Sequence, residues 1–217
     1  MVIVAPQRAR VSAAASSDYR LRRAFDITGA VILLVLTAPL MIAGMLAVLI
    51  GSGLPIFFGH ERVGTGGKPF RCWKLRTMKR GAELHLVQDP ALAARHAQNG
   101  YKLPVREDPR VTPVGRWLRN SHLDELPQLF NVLGGSMSLV GPRPIIMAEL
   151  LEYGSDAAEL LDARPGIFGA WTSLGRARPP YPERAHLELA YVRARSLRTD
   201  LRILLRSIPT VFAGQSN

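Results

Sequence analysis

A chain of 217 residues is long enough for one domain with its own hydrophobic core and an appended anchor. Lys and Arg outnumber Asp and Glu by 28 to 17, which predicts an anionic partner: nucleic acid, anionic lipid or a phosphorylated substrate. The single cysteine, Cys72, excludes an intrachain disulfide and lacks the neighbouring His and Asn pattern of a catalytic thiol.

The N-terminal part of the chain has two segments of different composition. Residues 1–19 are rich in Ala, Ser and Arg, which predicts a disordered tail. Residues 20–58 contain an uncharged apolar run from Ile27 to Ile50, longer than the roughly 20 residues with which a helix crosses a bilayer. The run is too long for the apolar core of a cleavable signal peptide, so we expect this segment to enter the membrane.

The charges beside the apolar run leave its path through the membrane open. Basic residues mark a cytoplasmic side, and they stand at both ends of the run. Pro39, at its middle, removes a helix hydrogen bond and favours a break there. A re-entrant helix that returns to the same face would satisfy both flanks, whereas a kinked spanning helix remains the alternative. The flanking basic residues are Arg20, Arg22, Arg23, Arg62, Lys68, Arg71, Lys74, Arg76, Lys79 and Arg80.

A β-hairpin is predicted directly after this segment. Residues 56–58 and 70–76 are rich in strand-forming residues and flank the turn signal Gly64-Thr65-Gly66-Gly67. Lys74 and Arg76 lie two residues apart, so they would share one face of the second strand. That face would bind a phosphate or a lipid headgroup, or it would simply be solvated.

Two helices are predicted around the most informative residues of the chain. Thr112 and Pro113 have the character of a cap and a first-turn proline for a helix that ends near Asn120. A second helix would begin with Asp124 near its N-cap and end at Gly134-Gly135.

Asp124 and Glu125 form an adjacent pair of acids. Two such carboxylates can supply one nucleophile or base and one ligand for a divalent metal. In a purely structural interpretation, Asp124 caps the helix and Glu125 complements its dipole. Arg119 offers a planar donor for phosphate oxygens, as does Arg143, which is held between two prolines in Gly141-Pro142-Arg143-Pro144.

The C-terminal stretch from Glu183 to Ile208 has apolar residues at three- and four-residue intervals with many arginines between them. This pattern predicts one basic amphipathic helix. The helix would lie on an anionic bilayer surface, or it would pack on the protein core with a solvated basic face.

These segments, taken together, resemble a small monotopic phosphoglycosyl transferase of the bacterial sugar transferase family. The resemblance covers about residues 20 to 212. It is carried by residues 22–26, 61–64, 67–70, 74–78, 108–112, 118–119, 123–132, 137–144, 164–167, 175–176, 191–192, 196–197 and 200–201.

The resemblance implies an α+β fold that is mostly helical with a small β-hairpin. It implies a monotopic membrane protein in which residues 20–58 form a re-entrant helix broken at Pro39. Residues 59–217 would form a catalytic domain on the cytoplasmic face of the bacterial inner membrane, with interfacial amphipathic helices.

The resemblance also implies the reaction. Such enzymes transfer a sugar 1-phosphate from a UDP-sugar to undecaprenyl phosphate and release UMP, which begins an exopolysaccharide, capsule, O-antigen or glycoprotein glycan. Asp124 would attack the sugar-proximal phosphorus and form an acyl-phosphate intermediate, while Glu125 would help to hold Mg²⁺. Arg119 and Arg143 match phosphate-site positions, and Lys74 and Arg76 match a basic strand motif near the site.

The implied partners are the UDP-sugar, undecaprenyl phosphate and the lipids of the inner membrane. A homodimer is left open, and nucleic acid is not expected. Two departures from the family pattern bear on this interpretation. Ala38 precedes Pro39 where Ser is common, which bears on the re-entrant geometry, and Thr172 follows Trp171 where Gln is frequent, which bears on the choice of donor.

Two other functions are compatible with parts of the sequence. A membrane glycosyltransferase that releases UDP would ordinarily need a larger nucleotide-binding domain, and the chain lacks an alternating βαβ pattern. A non-enzymatic basic protein that binds membranes would account for the charge and the apolar run. It would give no reason for the paired acids or the proline-flanked Arg143.

Overall fold

The computed structural model describes residues 13–99, 103–170 and 179–212. The chain is mostly helical, with two small sheets. The helices are α1 (Ala13–Ser52), α2 (Ala82–Gln88), α3 (Pro90–Gln98), α4 (Pro113–Asn120), α5 (Gln128–Gly134), α6 (Ala157–Leu161), α7 (Glu183–Arg193) and α8 (Leu197–Phe212). The strands are β1 (Phe57–Val63), β2 (Pro69–Leu75), β3 (Ser138–Val140) and β4 (Gly166–Phe168).

The long helix α1 begins earlier and ends earlier than the sequence predicts. It starts at Ala13, so residues 13–19 are helical rather than part of a disordered tail, and residues 1–12 lie outside the described ranges. Alanine at the start favours helix, and Arg22 donates to Asp18 one turn away at 2.7 Å. The helix ends at Ser52, because Gly53 takes a left-handed φ of 73°.

Helix α1 has the length and composition of a membrane helix. Its most apolar window has a mean hydropathy of 2.6, and 17% of that window is buried. The helix is continuous through Pro39, so the predicted break is not an end of the helix. Around Pro39 the apolar side chains of Val35, Leu36 and Leu40 are exposed. A long helix with an exposed apolar face is compatible with a monotopic membrane protein.

Both halves of α1 nevertheless pack on the folded body. Ala30, in the first half, is fully buried in a core that includes Val132 and Leu139. Val48, in the second half, is fully buried against Leu75 and Leu118. The helix therefore contacts the body through one buried stripe on both sides of its midpoint.

The predicted β-hairpin is confirmed. Strands β1 and β2 are antiparallel, and Phe58 lies opposite Lys74. The connection contains the 3-10 turn Thr65–Gly67, in which Gly66 and Gly67 have positive φ. The glycine signal in the sequence thus marks the turn correctly.

A second sheet was not predicted. Strands β3 and β4 pair in parallel, with Ser138 opposite Gly166. Each strand is three residues long, too short to produce a periodic signal. At the end of β3 the N–H of Gly141 donates to the carbonyl of Phe168 at 2.9 Å, and the N–H of Gly166 donates to that of Pro142 at 2.8 Å. These bonds fix the backbone that leads into Arg143.

The acid pair lies in a 3-10 turn, Leu123–Glu125, rather than at a helix N-cap. Helix α5 begins at Gln128 after Pro127, and Gly135 ends it with a φ of 81°. The prediction that Asp124 caps this helix is therefore wrong. His122, with a left-handed φ of 58°, separates the turn from α4, and Pro127 favours the start of a new helix after itself.

The predicted C-terminal amphipathic helix is two helices, α7 and α8. Helix α7 ends at Arg193, and the Oγ of Ser196 accepts from the N–H of Thr199 at 3.1 Å, which caps the start of α8. Helix α7 buries Leu189 in the core, and α8 buries Ile203 in the core but exposes Leu201 and Leu205. The core-packing interpretation therefore holds for α7.

Candidate active site

The acid pair lies between the hairpin and α1. Its turn packs on the second half of α1, because Leu123 joins the apolar cluster that contains Val48. Asp124 is 6% exposed. Glu125 is partly exposed, and its Oε1 accepts from Nζ of Lys74 on β2 at 2.6 Å. The structure thus brings together three of the residues that the sequence assigns to the site.

Arg119 reaches the same region from α4. Thr112 caps this helix as predicted, with its Oγ1 accepting from the N–H of Gly115 at 2.9 Å. The Nε of Arg119 donates to Oγ1 of Thr77 at 2.9 Å. Burial lowers the pKa of Arg119, while the negative charge of Asp124 opposes that shift. Arg119 is therefore a half-buried cation held by Thr77 and influenced by the acid pair.

Arg143 is held by two buried acids. Its Nη1 donates to Oε1 of Glu149 at 3.3 Å, and its backbone N–H donates to Oε1 of Glu188 at 3.4 Å. Glu149 is 1% exposed and Glu188 is fully buried. Sequence analysis missed both acids, since neither belongs to a local motif. The two prolines beside Arg143 and these contacts together restrict its position.

His60 on β1 marks a concentration of positive charge that sequence analysis also missed. Burial and the charges of Arg62, Lys74 and Arg143 lower the pKa of His60 to about 4, so the imidazole is neutral at pH 7. Its ring stacks on that of Phe58, with centroids 6.0 Å apart. The alternation of Phe58, His60 and Arg62 along one strand face was a signal that could have identified this surface.

Arg76 does not join the site, which corrects the prediction from the sequence. Its guanidinium donates to the carbonyl oxygens of Ser52, Gly53 and Leu54 at 2.6, 2.8 and 2.9 Å. The first of these carbonyls is that of the last residue of α1, and the other two follow it directly, where a helix end needs donors and favours a cation. Arg76 follows the last residue of β2, and its side chain contacts the end of α1. Lys74, by contrast, contacts Glu125.

The donor set for a metal ion is small. Among the residues described, no three His, Cys, Asp or Glu side chains come together as a metal site. Mg²⁺ is commonly held by one or two carboxylates together with substrate phosphates and water. Asp124 and Glu125 fit an ion shared with a phosphorylated substrate, but not a site made of protein ligands alone. Trp171, Thr172 and Arg176 lie outside the described ranges.

Two features of the structure define the class of this protein. One is an apolar helix of membrane type, and the other is the group of paired carboxylates, a lysine and arginines beside it. The family model described as "Bacterial sugar transferase" matches residues 17–214. The chain belongs to the bacterial sugar transferase family.

Curated relatives cover most of the chain. It is 41% identical over 194 residues to the undecaprenyl-phosphate galactose phosphotransferase of Salmonella typhimurium, with 88% of this chain and 40% of the relative covered. It is 41% identical over 194 residues to the exopolysaccharide production protein ExoY of Sinorhizobium fredii, with 88% and 84% covered. The UDP-glucose:undecaprenyl-phosphate glucose-1-phosphate transferase of Escherichia coli is 35% identical over 209 residues, with 91% and 40% covered. The chain thus spans two-fifths of the length of the first and third relatives.

Proposed function

We propose that this protein transfers a sugar 1-phosphate from a UDP-sugar to undecaprenyl phosphate and releases UMP. One observation carries the proposal: Asp124 and Glu125 lie together with Lys74 beside an apolar helix that has an exposed apolar face. Two of the relatives are named for phosphotransfer to undecaprenyl phosphate, and ExoY is named for exopolysaccharide production. The product would be the first lipid-linked sugar of a surface glycan.

The proposed reaction has two displacements at one phosphorus atom. A carboxylate oxygen of Asp124 attacks the sugar-proximal phosphorus, the bond from this phosphorus to the bridging oxygen breaks, and UMP leaves with that oxygen. A phosphate oxygen of the lipid then attacks the same phosphorus and releases Asp124. Such transfers depend on positioning and charge neutralisation. Arg119 and Arg143 would bind phosphate oxygens, and Lys74 would orient Glu125.

Mg²⁺ is the proposed cofactor, held by Glu125 with Asp124 nearby. When bound, it would neutralise charge on the diphosphate and the leaving phosphate. The remaining interactions come from the protein: Lys74 contacts Glu125, and Thr77 fixes the guanidinium of Arg119, on which the charge of Asp124 acts.

The released nucleotide tests the reaction. Detergent-solubilised protein is mixed with Mg²⁺, undecaprenyl phosphate and a panel of UDP-sugars. We expect UMP, formed only when lipid is present, and the active donor identifies the sugar. Release of UDP would instead establish a membrane glycosyltransferase, and no lipid-dependent nucleotide would favour a non-enzymatic membrane protein.

Glu125→Gln is expected to raise the Mg²⁺ concentration for half-maximal activity by about tenfold or more, or to abolish activity. The amide keeps the shape of the side chain but loses the charge that a hard cation prefers. Glu61→Gln, an exposed acid on β1, is the matched control and should leave the Mg²⁺ titration unchanged. An unaltered titration for Glu125→Gln would remove Glu125 from the metal site.

We also propose that both ends of α1 lie on the cytoplasmic face of the inner membrane. At the first end Arg23 donates to the carbonyls of Val132 and Leu133, both at 2.6 Å. At the other end Arg76 donates to the carbonyls of Ser52 and Gly53. A body that holds both ends by charged groups does not extend across about 30 Å of hydrocarbon, because burying guanidinium groups there is costly. The exposed segment around Pro39 would then dip into the bilayer and return.

Cysteine labelling tests this path. In a Cys72→Ala background, Arg20→Cys and Leu54→Cys introduce exposed thiols at the two ends of α1. A membrane-impermeant maleimide is expected to label both in inverted vesicles and neither in intact cells. Leu36→Cys, in the exposed apolar middle, should react only after detergent is added. Labelling of the two ends from opposite sides would establish a spanning helix.

A further inference from the structure

Two arginines from distant parts of the chain meet at one buried carboxylate. Arg62 lies on β1, and Arg143 follows β3. Nη1 of Arg62 is 3.4 Å from Oε2 of Glu149, and Nη1 of Arg143 is 3.3 Å from Oε1. Nη1 of Arg62 also donates to the carbonyl of Pro144 at 3.1 Å. Glu149 therefore holds the two guanidinium groups side by side.

Glu149 is itself held rigidly. Its Oε2 accepts from the N–H of Ile146 at 3.1 Å, and its Oε1 is 3.5 Å from Nη1 of Arg184 on α7. Glu188, which accepts from the backbone N–H of Arg143, is also fixed: it is fully buried and accepts from the hydroxyl of Tyr153. A carboxylate fixed by several donors keeps its own position and so fixes the groups bonded to it.

Arg62 and Arg143 share the carboxylate of Glu149, at 3.4 and 3.3 Å. Burial and the neighbouring charge of Arg143 lower the pKa of Arg62 to about 10, so the two guanidinium groups repel one another. An anion bound by both guanidinium groups would relieve that repulsion.

The cluster is continuous with the candidate active site. Lys74 lies opposite Phe58, and Arg62 is on the same face of β1 four residues further along. His60 lies between Phe58 and Arg62 on this face, and the charges of Arg62, Lys74 and Arg143 all lower its pKa. Because Lys74 contacts Glu125, these cations lie on the hairpin side of the acid pair. A diphosphate whose phosphorus is attacked at Asp124 would extend in this direction.

We propose that Arg62 and Arg143, aligned by Glu149, form an anion subsite that binds a diphosphate group. Arg62 is then a binding residue, and Glu149 is a positioning residue that acts through both arginines. The assignment of this diphosphate to a sugar nucleotide rests on the proposed function. The anion subsite rests on the arginines alone and can be tested without turnover.

The test measures binding of inorganic pyrophosphate to the full-length, detergent-solubilised protein by calorimetry, without added Mg²⁺. Arg62→Gln should weaken binding by about tenfold or more, because it removes a charged planar donor. Arg62→Lys should recover part of the loss, since it keeps the charge but not the fork of donors. Arg71→Gln is the matched control: it removes the same charge from an exposed position on the paired strand β2.

Unchanged pyrophosphate binding by folded Arg62→Gln would overturn the proposal, as would an absence of binding by the wild-type protein. An equal loss of pyrophosphate binding in Arg71→Gln would also overturn it, because the loss would then reflect the overall positive charge of the surface and not a specific site. Glu149→Gln should weaken pyrophosphate binding as well; if it unfolds, the Arg62 series still decides. Loss in Arg62→Gln without UMP formation from any donor would leave the subsite standing and remove the proposed function. UMP formation by the wild-type protein, with no effect of Arg62→Gln on pyrophosphate binding, would support the proposed function and remove the subsite.

Discussion

Asp124→Asn is expected to lower turnover by about three orders of magnitude or more. The proposed reaction needs a carboxylate oxygen to attack phosphorus, and an amide is not a nucleophile of that kind. Asp124 is buried in a turn that packs on α1 through Leu123. Intact-mass measurement should detect a sugar-phosphate adduct on the wild-type protein after mixing with donor alone, and none on the variant.

The control for this prediction is Asp162→Asn, an exposed acid after α6, which should retain full activity. The Asp124→Asn variant should keep its thermal unfolding temperature within a few degrees of the wild-type value, because the amide has the same shape as the acid. Its intact mass should also exclude deamidation back to aspartate. Turnover within tenfold of the wild-type rate in such a preparation would remove Asp124 as the nucleophile.

Gly115→Ala is expected to destabilise the fold by about 2 to 4 kcal/mol and to lower activity of the remaining folded protein. A Cβ at this position of α4 would lie 2.7 Å from Cα of Thr77 and would overlap its carbonyl oxygen. That oxygen accepts from the N–H of Thr112 at 3.0 Å. Because Thr77 also holds Arg119, a shift of this backbone would displace the arginine from the acid pair.

Gly134→Ala provides the matched comparison. Gly134 lies in α5, and a Cβ there would meet no atom within 4 Å. Alanine has the better helix propensity, so stability should stay the same or rise by up to about 1 kcal/mol. Thermal unfolding of both variants in one detergent measures the difference. Equal unfolding temperatures for the two alanine variants would contradict the close approach of α4 to Thr77.

Local chemistry predicted several elements well. The glycines after β1 mark the hairpin turn, and Thr112 with Pro113 marks the start of α4. In these places the residue that decides the conformation lies within the element itself. The C-terminal helices were predicted as one, because the apolar period continues across the interruption and the Ser196 cap is a weak signal within it.

The roles of individual cations were harder to predict. Lys74 and Arg76 look equivalent in the strand pattern, yet Lys74 binds Glu125 and Arg76 binds the end of α1. The difference arises because the hairpin ends beneath α1, a relation between segments that are distant along the chain. The buried acids Glu149 and Glu188 were missed for the same reason: their partners come from β1, the loop after β3 and α7.

The sequence by itself determined that the chain has a membrane-type helix, a hairpin and an adjacent pair of acids with arginines on either side of it along the chain. Those features depend on apolar runs, turn residues and motifs that are contiguous. Only the tertiary structure decided which cations contact the acids, that both halves of α1 pack on one body, and that Glu149 joins Arg62 to Arg143. Contacts of this kind depend on how distant segments pack, and a local pattern carries no record of that packing.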